Sequence, residues 1–233
     1  ALSDLIFKGA KINIAPSNFI FNIFTKSDYN VKLIPNAIDL SLYTLKKRKI
    51  IKPNLLWVRS FHKIYNPEMA IYVLNKLLVI YPKAKLIMVG PEKDGSQAIC
   101  KNLAKTLNIR DKVNFTGYLP KKKWIKLSIS QDIFINTTNI DNMPVSILEV
   151  MALGIPVIST NVGGLPFLLD HEKNALLVDP NDILAMTKNI NELITKPSLA
   201  FNISMKAYKD IESFSIDIIY QDWVKLILES LDK

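Results

Sequence analysis

Between Asp141 and Asp170 the chain carries one charged residue, Glu149, inside DNMPVSILEVMALGIPVISTNVGGLPFLLD. A lone carboxylate among Val, Ile, Leu and Met is costly when buried without a partner. It is either a core residue satisfied by nearby backbone or hydroxyl groups, or a carboxylate held in a cleft to grip a polar ligand. The strand-like and Gly-rich segments on either side favour the cleft. Pro144 suits the first turn of a helix, where its missing N–H would be an orphan anyway. Asp141 and Asn142 just before it are capping types. The free N–H groups and the dipole at such a helix start form an anion site. Glu149 follows about 7 Å along the axis, close to the span from a diphosphate to its ribose. A carboxylate accepts two hydrogen bonds from a vicinal diol, so phosphate at the helix start and ribose on Glu149 make one consistent ligand pose.

The elements that must position these groups are legible as alternating patterns. NLLWVRS (54–60), KLIMVG (85–90), VNFTG (113–117), DIFINTT (132–138), PVIST (156–160) and ALLVD (175–179) are near-continuous apolar runs. Such runs suit parallel strands covered on both faces. Amphipathic helical stretches separate them, and three more (182–195, 198–213, 215–231) follow the last strand. The expected fold class is α/β, a Rossmann-like doubly wound parallel sheet. The first 35 residues form a separate βαβ-like unit, joined by the basic, Pro-punctuated stretch 44–54. Domain boundaries follow: 1–36 as the tail of another domain plus a linker strand, 37–213 as the main domain, and 214–233 as a C-terminal helix. Ligands in open parallel sheets sit beyond the carboxyl ends of the strands. That singles out Arg59–Lys63, Gly90–Gly95, Gly117–Tyr118, Thr138–Met143 and Asn161–Gly164. GPEKDGS lacks the G-x-G-x-x-G spacing, so a nicotinamide cofactor is not supported. Trp57, Trp124 and Trp223 are expected in or against the core, and His62 and His171 in exposed loops without acid–base partners.

With 233 residues, 49% hydrophobic and 22% charged, the chain can bury a substantial core. No apolar run reaches membrane-spanning length. The start has no signal pattern and no initiator Met, which suggests a fragment or processed form. The single Cys100 forms no disulfide framework and fits a reducing cytoplasm. A net charge of +9 favours anionic partners, or else reflects a Lys-rich composition whose charges are simply solvated. The charges are scattered apart from Lys46–Lys49 and Lys121–Lys123.

The run from Asp141 to Leu169 resembles the retaining glycosyltransferases of family 4, whose GT-B fold pairs two Rossmann-like domains. Their signature is Glu-x7-Glu followed by Ala-Met-Ala-x-Gly-x-Pro-Val. Here Asp141 stands for the first acid and Glu149 for the second. Val150-Met151-Ala152 replaces Ala-Met-Ala, and Gly154, Pro156 and Val157 are in place. LIPNAID, LIMVGPEKDGS, VNFTGYL, the Gly-Gly-x-Pro turn and LLVDPND also match in order, from Val31 onward. The resemblance implies the C-terminal, donor-binding half of such an enzyme, with the N-terminal acceptor domain largely absent. It implies transfer of a sugar from a nucleoside diphosphate to a glycan or lipid-linked acceptor, with retained configuration. Glu149 would bind the ribose and Asp141 the donor sugar. Backbone N–H groups of Asn142, Met143 and Val145, around Pro144, would meet the diphosphate. Arg59 and Lys63 would neutralise the leaving group without a metal or other cofactor. Gly90 would line the donor site, and the loop Gly117–Leu119, with Tyr118, would hold the base edge.

The departures are Asp for Glu at the first acid, a spacing of four rather than five from Arg59 to Lys63, Phe167 after Gly-Gly-x-Pro, and Ala175 for Gly. A cytoplasmic enzyme touching the inner face of the membrane would suit the charge. The rivals are a nucleotide-sugar-binding or regulatory domain without turnover, and a basic nucleic-acid-binding α/β domain. The latter lacks interleaved aromatics and basic residues on one element, so nucleic acid is not an expected partner. Another GT-B enzyme, such as a sugar epimerase, would need acid–base residues that are not apparent.

Overall fold

A computed structural model describes residues 2–231. Six parallel strands, β3 (Asn54–Val58), β4 (Lys85–Val89), β5 (Val113–Gly117), β6 (Ile133–Asn136), β7 (Val157–Thr160) and β8 (Leu176–Val178), form one sheet in the order β5-β4-β3-β6-β7-β8. The chain builds outward from β3 in one direction, then returns to its other side with β6. The central strands are apolar because both faces are covered; every residue of β6 and β7 is buried. α3 (Pro67–Ile80), α4 (Ser96–Thr106) and α7 (Ile183–Thr195) cover one face, with Leu74, Cys100 and Ile190 in the core. α5 (Lys121–Ser128) and α6 (Val145–Ala152) cover the other, around Trp124, Ile147 and Met151. α8 (Pro197–Ile211) reaches both, placing Ile203 in the first core and Ile211 in the second.

The first residues form α1 (Leu2–Gly9), β1 (Asn13–Ala15), α2 (Asn18–Lys26) and β2 (Val31–Leu33), with β1 and β2 paired in parallel as a two-stranded sheet of their own. α9 (Ile216–Leu231) runs back onto this unit, where Ile219 and Leu226 close over Ile34, Ile12 and Ile14. Ile38 anchors the crossing: its N–H donates to Phe214 O, and its carbonyl accepts from Ile216. Trp223 lies on α9 and is 40% exposed, so it is not a core tryptophan as Trp57 and Trp124 are. It sits between Ile219 and Leu226 on the same stripe of α9, but only those two residues of the helix are buried. Among the described residues, no helix is long and apolar enough to cross a membrane.

The linker is held by a residue whose burial its basic surroundings conceal. Arg48 is 3% exposed, and its guanidinium donates to the carbonyls of Lys46, Gln131, Leu153 and Gly154. Burial pulls its pKa down to about 10, with Asp132 opposing. The stretch 44–54 is therefore pinned against α5 and the end of α6 rather than hanging as a free tether.

Candidate functional site

The strand order reverses between β3 and β6, and the crevice beyond that point is where α/β sheets hold ligands. A cleft of about 240 Å³ opens there, lined by Arg59, Gly90, Tyr118, Leu119, Trp124 and Ser146 among others. Three residues expected from the sequence, Arg59, Gly90 and Tyr118, thus meet in one cavity. Gly90 has φ of +153°, and a Cβ there would collide with the carbonyl of Arg59. Its N–H donates to Gly117 O at 2.9 Å, beside the register shift between β4 and β5. Gly117 therefore shapes the rim, and Tyr118 next to it is 70% exposed.

Arg59 leaves the end of β3 and pairs with Asp141, which the loop after β6 carries to meet it. The guanidinium also stacks over Tyr65, 4.3 Å from the ring centroid. Its Nε is buried and makes no hydrogen bond among the described residues. Burial raises the pKa of the Asp141 carboxyl, while the charge of Arg59, its hydrogen bond and the Asn142 N–H pull the other way. Asp141 is therefore not a helix cap. α6 begins at Val145, with Pro144 in the cap position and no capping side chain. That places Pro144 one residue before the first turn rather than within it. Because Asp141 is drawn to Arg59, and Asn142 accepts a hydrogen bond from the Ser17 hydroxyl, neither side chain reaches the α6 N–H groups.

The loop is supported from beneath by Gly163 and Gly164. A Cβ at either would strike the carbonyl of Asp141 or Asn142, and the Gly164 N–H donates to Asp141 O at 2.9 Å. The close approach that these glycines permit is thus backbone to backbone. On its other flank, Thr160 Oγ1 donates to Thr138 O at 2.6 Å, and the Asn139 N–H to Ile64 O at 2.8 Å. Met143 faces elsewhere, into a second cavity of about 260 Å³ shared with Ser17, Gly164, Phe167 and Phe214. Asn36 Nδ2 donates to its carbonyl at 3.1 Å. Val145 opens α6 and is 38% exposed.

Glu149 is 6% exposed, the fifth residue of the eight-residue α6. Tyr43 donates to its Oε1 at 2.8 Å, and the Lys121 ammonium pairs with the same oxygen at 2.9 Å. The Tyr43 phenol is buried and held protonated well above its ordinary range, first by burial and then by that hydrogen bond. Both partners escaped the sequence reading. Tyr43 lies 106 residues away with no local signal, and Lys121 reads as one of a solvated run. Lys63 stands apart from the cleft: its side chain is exposed, and its backbone N–H donates to Asp94 at 2.9 Å. Asp94 also bonds Ser96 and lies 3.8 Å from His62 Nε2, which ties the loops after β3 and β4 together and gives His62 a carboxylate neighbour. These contacts lower the Asp94 pKa to about 2.

The resemblance extends to known proteins. The chain is 29% identical over 184 residues to an uncharacterized glycosyltransferase of Haemophilus influenzae, covering 77% of this chain and 51% of that one. It spans about half the length of the curated relatives it matches. Its fold superposes on sucrose-phosphate synthase from Thermosynechococcus elongatus with a TM-score of 0.90 at 20% identity, over 99% of this chain and 61% of that one. It also superposes on Anabaena HepE in complex with UDP-glucose, with a TM-score of 0.87 at 19% identity over 97% and 66%. The six-stranded sheet is that of the C-terminal Rossmann-like domain of GT-B glycosyltransferases. With residues 46–210, from the pinned linker to the end of α8, matching the family as a unit, the chain belongs to the glycosyl transferases group 1.

Proposed function

We propose that this chain is the donor half of a retaining glycosyltransferase, which binds a nucleoside-diphosphate sugar for transfer to a glycan or lipid-linked acceptor. The observation that carries the reading is the Arg59–Asp141 pair at the lip of the switch-point cleft, with one guanidinium N–H left unbonded. A planar guanidinium suits the oxygens of a diphosphate. In this reading Arg59 stabilises the charge that grows on the leaving diphosphate, and Lys63 adds to it once its exposed side chain swings inward. Asp141 is shared between Arg59 and the donor sugar's hydroxyls. The ribose diol meets the Glu149 carboxylate, whose Oε1 is already oriented by Tyr43 and Lys121. The UDP-glucose held by HepE, on the same fold, supports a nucleotide-sugar ligand. No step needs a divalent ion or an organic cofactor.

Calorimetric titration with UDP, GDP, ADP and their sugars tests the reading and identifies the base. One nucleoside diphosphate should bind. Glu149→Gln should weaken it by about 1.5–3 kcal/mol, the value of a charge-assisted hydrogen-bonded contact, and leave inorganic pyrophosphate binding unchanged. Absence of binding by every nucleoside diphosphate at millimolar concentration would remove the donor-site assignment.

A further inference from the structure

The two lysine runs that stand out in the sequence, Lys46–Lys49 and Lys121–Lys123, lie side by side in the fold. Tyr43 and Lys121 start the two segments and converge on the same oxygen of Glu149. Further along, the Lys46 ammonium donates to Ile129 O at 2.8 Å, and Arg48 donates to Gln131 O at 3.0 Å. The linker therefore runs alongside α5 from start to end, in the same direction. Lys46, Lys47, Lys49 and Lys52 on one segment, and Lys121, Lys122, Lys123 and Lys126 on the other, are all exposed. The sequence places no Asp or Glu between Leu40 and Pro67, or between Lys112 and Gln131. Exposed aliphatic side chains stand among the cations: Ile50 is 71% exposed and Ile129 is 52% exposed.

We propose that this face is a docking surface for an anionic lipid bilayer. Lysines give attraction to acidic headgroups without a fixed stereochemistry, and projecting isoleucines give apolar insertion at the interface. A nucleic-acid surface would instead offer aromatic platforms or forked guanidinium groups. Here Tyr43 and Trp124 are turned inward, and the one arginine, Arg48, is spent on backbone carbonyls. The surface starts beside the candidate site, because Lys121 pairs with Glu149 and follows Tyr118 and Leu119 of the cleft lining. A bilayer seated on it would bring headgroups to the edge of the cleft. The inference stands on charge and exposure, and is independent of the donor assignment.

The test is co-sedimentation of the full chain with vesicles of phosphatidylcholine alone, and of phosphatidylcholine mixed with phosphatidylglycerol. Binding is expected only to the acidic vesicles, and should fall as salt is raised. Each surface lysine contributes about five-fold to partitioning. The fourfold variant Lys47→Gln, Lys49→Gln, Lys122→Gln and Lys123→Gln should therefore lose at least about fifty-fold. A charge-matched control, Lys76→Gln, Lys83→Gln, Lys105→Gln and Lys188→Gln, should lose less than about five-fold. Ile50→Ser with Ile129→Ser should weaken binding to the acidic vesicles while leaving the net charge intact. Circular dichroism checks that each variant is folded, and titration with the nucleoside diphosphate should match wild type in all of them. Equal losses in the two fourfold variants, no binding to acidic vesicles, or tighter binding to polyuridylate than to the vesicles would each overturn the proposal.

Discussion

Asp141 and Arg59 form an ion pair whose members differ in what they lose when separated. Asp141 is the more deeply buried, with 8% of its side chain exposed against 20% for Arg59. Its pKa is raised in the fold, so the folded state holds that proton more tightly than the unfolded chain does. The stabilisation linked to this proton is complete below the unfolded value of 3.8, and is lost as pH rises through the folded pKa. Removing Arg59 takes away the charge that opposes the rise and widens the window. Arg59→Met should therefore be closest to wild type near pH 3 and fall progressively behind as pH rises toward about 7. At neutral pH the cost should be about 2–3 kcal/mol, at or below the low end for a buried pair because Arg59 keeps some solvent contact. Melting temperatures across that pH range check it. A deficit that is constant with pH would mean that Arg59 acts through packing on Tyr65 rather than through Asp141.

The six strands of the main sheet and the nine α-helices among the described residues divide sharply in how well their positions can be read from sequence. β3, β4, β6 and β7 are continuous apolar runs because both faces are covered, and their boundaries are legible for that reason. Glu149 is legible as a site candidate because its isolation in an apolar helix is itself a chemical anomaly. Its partners are not, because a tyrosine 106 residues away and one lysine of three carry no local mark of convergence. Arg48 is hidden in the same way: between lysines it looks solvated, yet the fold buries it on four carbonyls. The Gly163–Gly164 segment was legible as a strand-end turn but not as to which backbone packs against it. Because that neighbour is the backbone of Asn142, Gly164→Ala must push the loop carrying Asp141. A cost of about 1–3 kcal/mol is expected. Chemical denaturation measures the stability, and nucleoside-diphosphate titration should show weaker binding in the folded variant. Unchanged binding would mean that the loop absorbs the methyl without moving Asp141.

At the scale of the molecule, two sheets are joined by a linker and also by α9. Ile219 and Leu226 are the residues α9 buries, and both go to the small β1–β2 unit. Truncation after Ser215 would remove them and uncover Ile34, Ile12 and Ile14. Two buried aliphatic side chains are worth about 3 kcal/mol at the least, so exchange at the Ile34 amide, which bonds Ala15 O, should accelerate roughly a hundred-fold or more. Amides of β3 and β6 should keep their protection. Equal loss across both sheets would show that α9 supports the whole molecule instead.

The guanidinium of Arg48 has a temporal consequence as well as a static one. Its four acceptors belong to the linker, to the segment after α5 and to the end of α6, which are separated by up to 106 residues along the chain. Until those segments have assembled, the cation gains nothing and stays hydrated. Its contribution therefore arises late on the folding path. Arg48→Met should accelerate unfolding while leaving the refolding rate nearly unchanged, a φ-value close to zero in a chevron experiment. The clasp would then act mainly on how long the native state lasts, rather than on how quickly it forms.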